Sequence, residues 1–149
     1  MRIIITDKIN LIKYGQWKLH YIKYLKFNKN KISEKKLKNL WNWLNDKNHA
    51  TNLIIAINLD NNILGHIHYK FSPNTVRGEY IGFLDDIYIN IKYRKLGIAK
   101  KLINYLLKIG KENNWELIRW HCDIKNYDAI NYYQKISNKK EWCTFELKL

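Results

Sequence analysis

The sequence predicts an α/β protein in the α+β sense: a central, mostly antiparallel but mixed sheet with helices on both faces. Three observations carry this reading. Two strand-like runs, "NLIIAINL" (52–59) and "ILGHIHYKF" (63–71), flank Asn61-Asn62 and read as a hairpin. A longer run, "EYIGFLDDIYINI" (79–91), leads into a helix-spaced segment and then another strand-like run, so a β-α-β unit follows the hairpin. The 149 residues, 46% hydrophobic and 14% aromatic, fit one domain, 1–149, with a substantial core.

Taken in order, "RIIIT" (2–6) is a short strand, and the pattern from Ile9 to Phe27 is helical, with Gly15 its weak point. Ser33 can cap a second helix, and Glu34 suits its dipole. Leu37, Leu40, Trp41 and Leu44 then share one face. The hairpin follows. Pro73, the single proline, sits in "SPNTVRGE" and predicts a turn before the 79–91 strand. Residues 97–113 form a helix with Ile98, Leu102, Leu106 and Ile109 on one side. "ELIRWHCDI" (116–124) is a strand, Asn126 to Ile136 a short helix, and "WCTFELKL" (142–149) a last strand.

The formal charge of +14 suggests a polyanionic partner. The lysines, however, are spread along the chain and accompany many Asn and Ile, a pattern of AT-rich codon usage. A solvated basic surface is therefore the expectation, with no specific nucleic acid as partner. No apolar run is long enough to span a bilayer, and no signal-peptide cleavage site is visible, so the expectation is a cytoplasmic protein without a membrane partner. Cys122 and Cys143 are expected to be buried free thiols.

"YRKLGIAKK" (93–101) carries the chemistry. A strand that feeds a helix through a short loop leaves backbone N–H groups pointing out of the helix start, and with the helix dipole these make an anion site. Gly97 lets a phosphate come close, Ala99 keeps the approach open, and Arg94 and Lys95 add positive charge. The spacing excludes G-x-x-x-x-G-K-[ST] and G-x-G-x-x-G loops.

Arg94, Gly97 and Ala99, after a long strand, resemble the [Q/R]-x-x-G-x-[G/A] pyrophosphate loop of the GNAT superfamily of acetyl-CoA-dependent N-acetyltransferases. "N-x-x-A-I-x-Y-Y" at Asn126 to Tyr133, including Ala129, resembles the second cofactor segment of that family. The element order fits over essentially the whole chain, nearest to the polyamine and D-amino-acid acetyltransferase branch. The resemblance implies a GNAT-like fold, acetyl-CoA as cosubstrate, no metal, a small-molecule primary amine as acceptor, and a homodimer as the expected assembly. It implies that Ile87, Tyr88 and Ile89 offer strand-edge backbone groups to the pantetheine arm and thioester carbonyl. Lys95, Leu96, Gly97, Ile98, Ala99 and Lys100 would wrap the pyrophosphate, and Asn126 would bond the pantetheine arm. Tyr133 would protonate the leaving thiolate, and Asp85 would take part in amine deprotonation. Two positions depart from the family: Lys95 and Ser137 stand where many relatives have glycine.

The chemistry is coherent. A free alkyl amine titrates near 10.4 and arrives charged, so a base is needed. Asp85 and Asp86 are neighbours on a strand, so only one is expected to face the cleft. The core-packing reading of Tyr133, with Ile130 and Ala129 at helical spacing, yields to the motif. His66 and His68 share a strand face at a metal-binding spacing, but no partner Cys, His or acidic cluster accompanies them in sequence. The alternative reading is a basic nucleic-acid-binding or acyl-CoA-sensing module on the same fold with catalysis lost.

Overall fold

The computed structural model describes residues 1–149. Its elements are β1 (Ile4–Thr6), α1 (Tyr14–Phe27), α2 (Glu34–Asn45), β2 (Asn52–Ile57), β3 (Ile63–Asn74), β4 (Glu79–Ile89), α3 (Ile98–Glu112), β5 (Ile118–Trp120) and α4 (Tyr127–Gln134). The sheet order is β1-β2-β3-β4-β5. Every pairing is antiparallel except the parallel β4–β5 pair.

Strand alternation divides the core in two. Leu53, Ile55 and Ile57 of β2 face Trp17, Tyr21 and Leu25 of α1 and Leu37 of α2. Ile54 and Ala56 face the other way, with Leu64, Ile67 and Leu84, against Ile98, Leu102 and Leu106 of α3. The predicted stripe on the third helix is thus the α3 contact. Ser33 caps α2 by accepting from the Lys36 N–H at 3.3 Å.

Several boundaries differ from expectation. The first helical stretch is broken: Ile9–Leu11 forms a 3-10 turn closed by Ile12 N–H on the Ile9 carbonyl, and the extended Ile12 separates it from α1. Pro73 lies inside β3, paired with Tyr80, and the turn comes after it, ending at Gly78 with φ +66°. The 116–124 run keeps only three strand residues. Residues 142–149 form no strand: they alternate, but no neighbouring strand pairs with them. Phe145, Leu147 and Leu149 are exposed, and Trp142 lies against the Arg119 guanidinium, 5.1 Å from it. Cys143 is therefore exposed and Cys122 half-buried, both free, where buried thiols were expected.

Candidate active site

The sheet opens beside β4. Strand β5 pairs only with Gly82, Phe83 and Leu84, so β4 from Asp85 to Ile89 has no ladder partner on that side. A bulge between His68 and Tyr69 of β3 falls at the same level, with Asp85 as the extra residue of β4. Ile87 and Ile89 pack toward the α3 core, while Tyr88 is buried on the α1 side. The strand-edge groups expected to serve a ligand thus lie where the ladder ends.

The loop after β4, residues 90–97, leads into α3. Gly97 sits at the N-cap of α3 with φ +73°, and no side chain caps the helix. The first N–H groups of α3, at Ile98, Ala99 and Lys100, are left without a side-chain acceptor. A Cβ built on Gly97 would meet nothing within 4 Å, so that side of the loop is open. Lys95 has φ +62°, in the left-handed region where glycine is favoured. Arg94 does not reach into the loop. Its Nε donates to the Ile89 carbonyl at 3.2 Å, and its guanidinium lies over Phe27 and Tyr88 at 4.7 and 5.8 Å. It braces the end of β4.

Helix α4 faces α3 across an apolar cavity of about 100 Å³, whose lining includes Leu84, Lys100, Ile103, Trp120 and Tyr132. The Tyr132 hydroxyl is buried and has no partner. Asn126 caps α4 through its side-chain oxygen, which accepts from Ala129 N–H at 3.3 Å, leaving its amide N–H₂ free to donate. Tyr133 packs against Trp120 and Tyr132. Burial pushes its phenol up to about 12, with Cys122 and Tyr132 adding to the effect, so the hydroxyl stays a proton donor at neutral pH. Ser137 donates its hydroxyl to the Tyr133 carbonyl at 2.7 Å, closing the end of α4. An uncapped helix start, an open glycine and an orphaned hydroxyl in an apolar slot all fit an extended ligand with an anionic end.

The two aspartates diverge. Asp85 is exposed and paired with Lys70 at 2.6 Å. Asp86 points to the α1 side, where Oδ1 meets His66 Nε2 and His68 Nδ1, both at 2.9 Å. Burial opposes its charge, but His68 and His66 outweigh burial and hold the carboxyl well below its usual range. His66 Nδ1 lies 2.9 Å from His20 Nε2. Burial pushes His66 down and His20 to about 2, so both are neutral near pH 7. Sequence reading missed this cluster because its third and fourth members come from β4 and α1; the register pairing His68 with Asp86 was the signal needed.

The pattern of the Acetyltransferase (GNAT) family matches residues 17–137. The thialysine N-epsilon-acetyltransferase of Caenorhabditis elegans is 24% identical over 85 residues, 53% of this chain; the match spans only 52% of that enzyme. In structure, the chain resembles a ribosomal-protein-alanine N-acetyltransferase from Brucella melitensis biovar Abortus 2308, with TM-score 0.78, 21% identity, and 99% and 98% of the two chains covered. It also resembles an aminoglycoside acetyltransferase, meta-AAC0020, from an uncultured soil metagenomic sample, with TM-score 0.79, 18% identity, and 99% and 95% covered.

Proposed function

The chain belongs to the GNAT acetyltransferase family, and from that premise we propose that it transfers the acetyl group of acetyl-CoA to a primary amine of a small molecule, a polyamine or amino acid being the class favoured. The observation that carries this reading is the uncapped start of α3 at the left-handed Lys95 and Gly97, set beside the unpaired edge of β4.

In this reading the N–H groups of residues 95–100 hold the pyrophosphate, and Asn126 and the Ile87–Ile89 edge hold the pantetheine arm. The apolar slot between α3 and α4 takes the arm's carbon chain. Asp85, exposed at the rim, draws in the charged amine and takes part in removing its proton. Tyr133 donates its phenolic hydrogen to the sulfur as the thioester opens. A phenol near 10 and a thiol near 8.5 differ by roughly 1.5 units, so full transfer is uphill by about 2 kcal/mol in the reference state. A hydrogen bond that strengthens as charge builds on sulfur supplies most of the effect. Relatives that bear the names of thialysine, aminoglycoside and ribosomal-protein-alanine acetyltransferases support an amine acceptor.

The test is a panel of amines, with released coenzyme A detected as free thiol. Amine-dependent thiol release, strongest with small polyamines or amino acids, is expected. No acceptor-dependent release from any amine would end this reading.

A further inference from the structure

We propose that His66, His68 and Asp86 form a binding site for one zinc-type divalent cation, between α1 and the β3–β4 pair. His66 Nε2, His68 Nδ1 and a carboxylate oxygen of Asp86 all lie within 4.8 Å of one another. Both nitrogens are 2.9 Å from the same oxygen. Zinc bonds of about 2.0–2.2 Å place neighbouring ligands of a tetrahedral ion roughly 3.3–3.5 Å apart. The ion therefore needs the two short pairs to open by about half an ångström and the two nitrogens, up to 4.8 Å apart, to close by about 1.3 Å.

The donors are fixed by backbone rather than by flexible loops. His66 and His68 are alternate residues on one face of β3, and Asp86 is the cross-strand partner of His68. His66 and His68 are 0% and 2% exposed. The outer nitrogen of His66 meets His20, the kind of second partner that orients a metal-bound imidazole. Loading moves the His66 hydrogen to Nδ1, which then donates to His20 Nε2; the His20 hydrogen moves to its Nδ1 and the His68 hydrogen to its Nε2, both buried atoms without a protein partner. Tyr21 OH donates to Asp86 Oδ2 at 3.5 Å, on the carboxylate's other oxygen. His20 also lines a polar pocket of about 330 Å³ with Gln16, Lys23, Asn62, Asn90 and Lys92; the three proposed ligands lie behind it and do not line it.

Charge supports the same assignment. A buried carboxylate needs a cation. Lys70 on the neighbouring strand position is engaged with Asp85 and does not supply it. Two imidazoles and one carboxylate suit zinc or cobalt better than magnesium or calcium, which take oxygen ligands. The rival is a closed hydrogen-bonded cluster of the three side chains with no metal site.

The test needs no activity, so it stands apart from the acyl-transfer reading. Chelator-stripped protein is titrated with Zn²⁺ against a chromophoric chelator, and separately with Co²⁺ followed by visible absorption. One equivalent of each should bind, with Zn²⁺ bleaching the Co²⁺ band. Removing an outer-shell partner typically costs 10–100-fold in affinity, so His20→Phe should lose about that much, and Asp86→Asn and His68→Gln at least as much. Circular dichroism checks that these variants are folded. His49→Gln and His121→Gln should bind as wild type does. No stoichiometric binding by the wild type would overturn the proposal and leave the hydrogen-bonded cluster; so would equal binding by folded Asp86→Asn. Should the variants fail to fold, the wild-type Co²⁺ titration decides alone.

Discussion

Tyr133 stands edge-on to Trp120, with ring centroids 5.4 Å apart and planes at 69°. The contact ties the C-terminal half of α4 to the end of β5, where the sheet opens. It also means that the Tyr133 ring is positioned by packing, and its hydroxyl is dispensable for that packing.

Tyr133→Phe should therefore keep the fold and acetyl-CoA affinity while lowering kcat. A general acid is worth roughly 10²- to 10⁴-fold, and loss of about tenfold or more would fit. The acceptor must be one for which chemistry limits the rate. Unchanged kcat under that condition would make Tyr133 a packing residue. Tyr132→Phe should leave kcat nearly unaltered. It removes a buried hydroxyl with no partner, so the free protein should be no less stable.

The Gly97 loop gives a second expectation. With φ +73°, a β-branched residue is disfavoured there by about 1–2 kcal/mol. A new Cβ meets nothing within 4 Å, so the fold should persist. The branched side chain would instead stand in the open side of the loop. Gly97→Val should weaken acetyl-CoA binding while Tm falls by only about 2–8 °C. Calorimetry returning wild-type affinity would sink the loop assignment.

The order β-α-α-β-β-β-α-β-α was legible because each element carries its own periodicity, and the Gly97 loop because turn and helix-start chemistry is local. What crosses between strands was not legible. The bulge that makes Asp85 an extra residue depends on β3 register, as does the meeting of Asp86 with His66 and His68. The segment 142–149 shows the converse: alternation predicts strand propensity, but a strand also requires a neighbour to pair with.

The charge of +14 tests the nucleic-acid alternative. Dispersed lysines should bind DNA weakly, without sequence preference, and release it as salt rises, because such binding comes from counterion release. Electrophoretic or fluorescence titrations at two salt concentrations decide this. Tight binding that survives physiological salt would favour the nucleic-acid-binding module.

Burial pushes Tyr69 and Tyr133 to about 12, above the ordinary value near 10. The folded state then holds these protons more tightly than the unfolded chain does. Their contribution is full below about pH 10 and is lost as pH climbs from there toward 12. Urea midpoints should fall steeply across that window. Midpoints flat to pH 12 would contradict it.

Gly82 gives the sharpest packing expectation. It pairs with Ile118 at the start of the β4–β5 ladder. A Cβ there would come within 2.5 and 2.6 Å of Trp115 Cε3 and Cζ3, and within 3.2 Å of Ile118 Cγ1. Trp115 has little room to retreat. A Cβ on Gly110 would stand 3.1 Å from Cε3, and Phe71 stacks on the same indole with centroids 5.4 Å apart. Gly82→Ala therefore overpacks a closed site, which typically costs 1–3 kcal/mol. For a chain of this length that is a fall in Tm of roughly 2–12 °C. The loss should fall on the β4–β5 junction, so hydrogen exchange should speed up at Gly82, whose N–H donates to the Leu117 carbonyl at 2.9 Å. Gly15→Ala is the control. Its Cβ meets nothing within 4 Å, and it lies in the first turn of α1, so alanine should stabilise by up to about 1 kcal/mol. If Gly82→Ala melts with the wild type while Gly15→Ala melts higher, Trp115 is free to move and the wedge between β4 and α3 is not as tight as the contacts require.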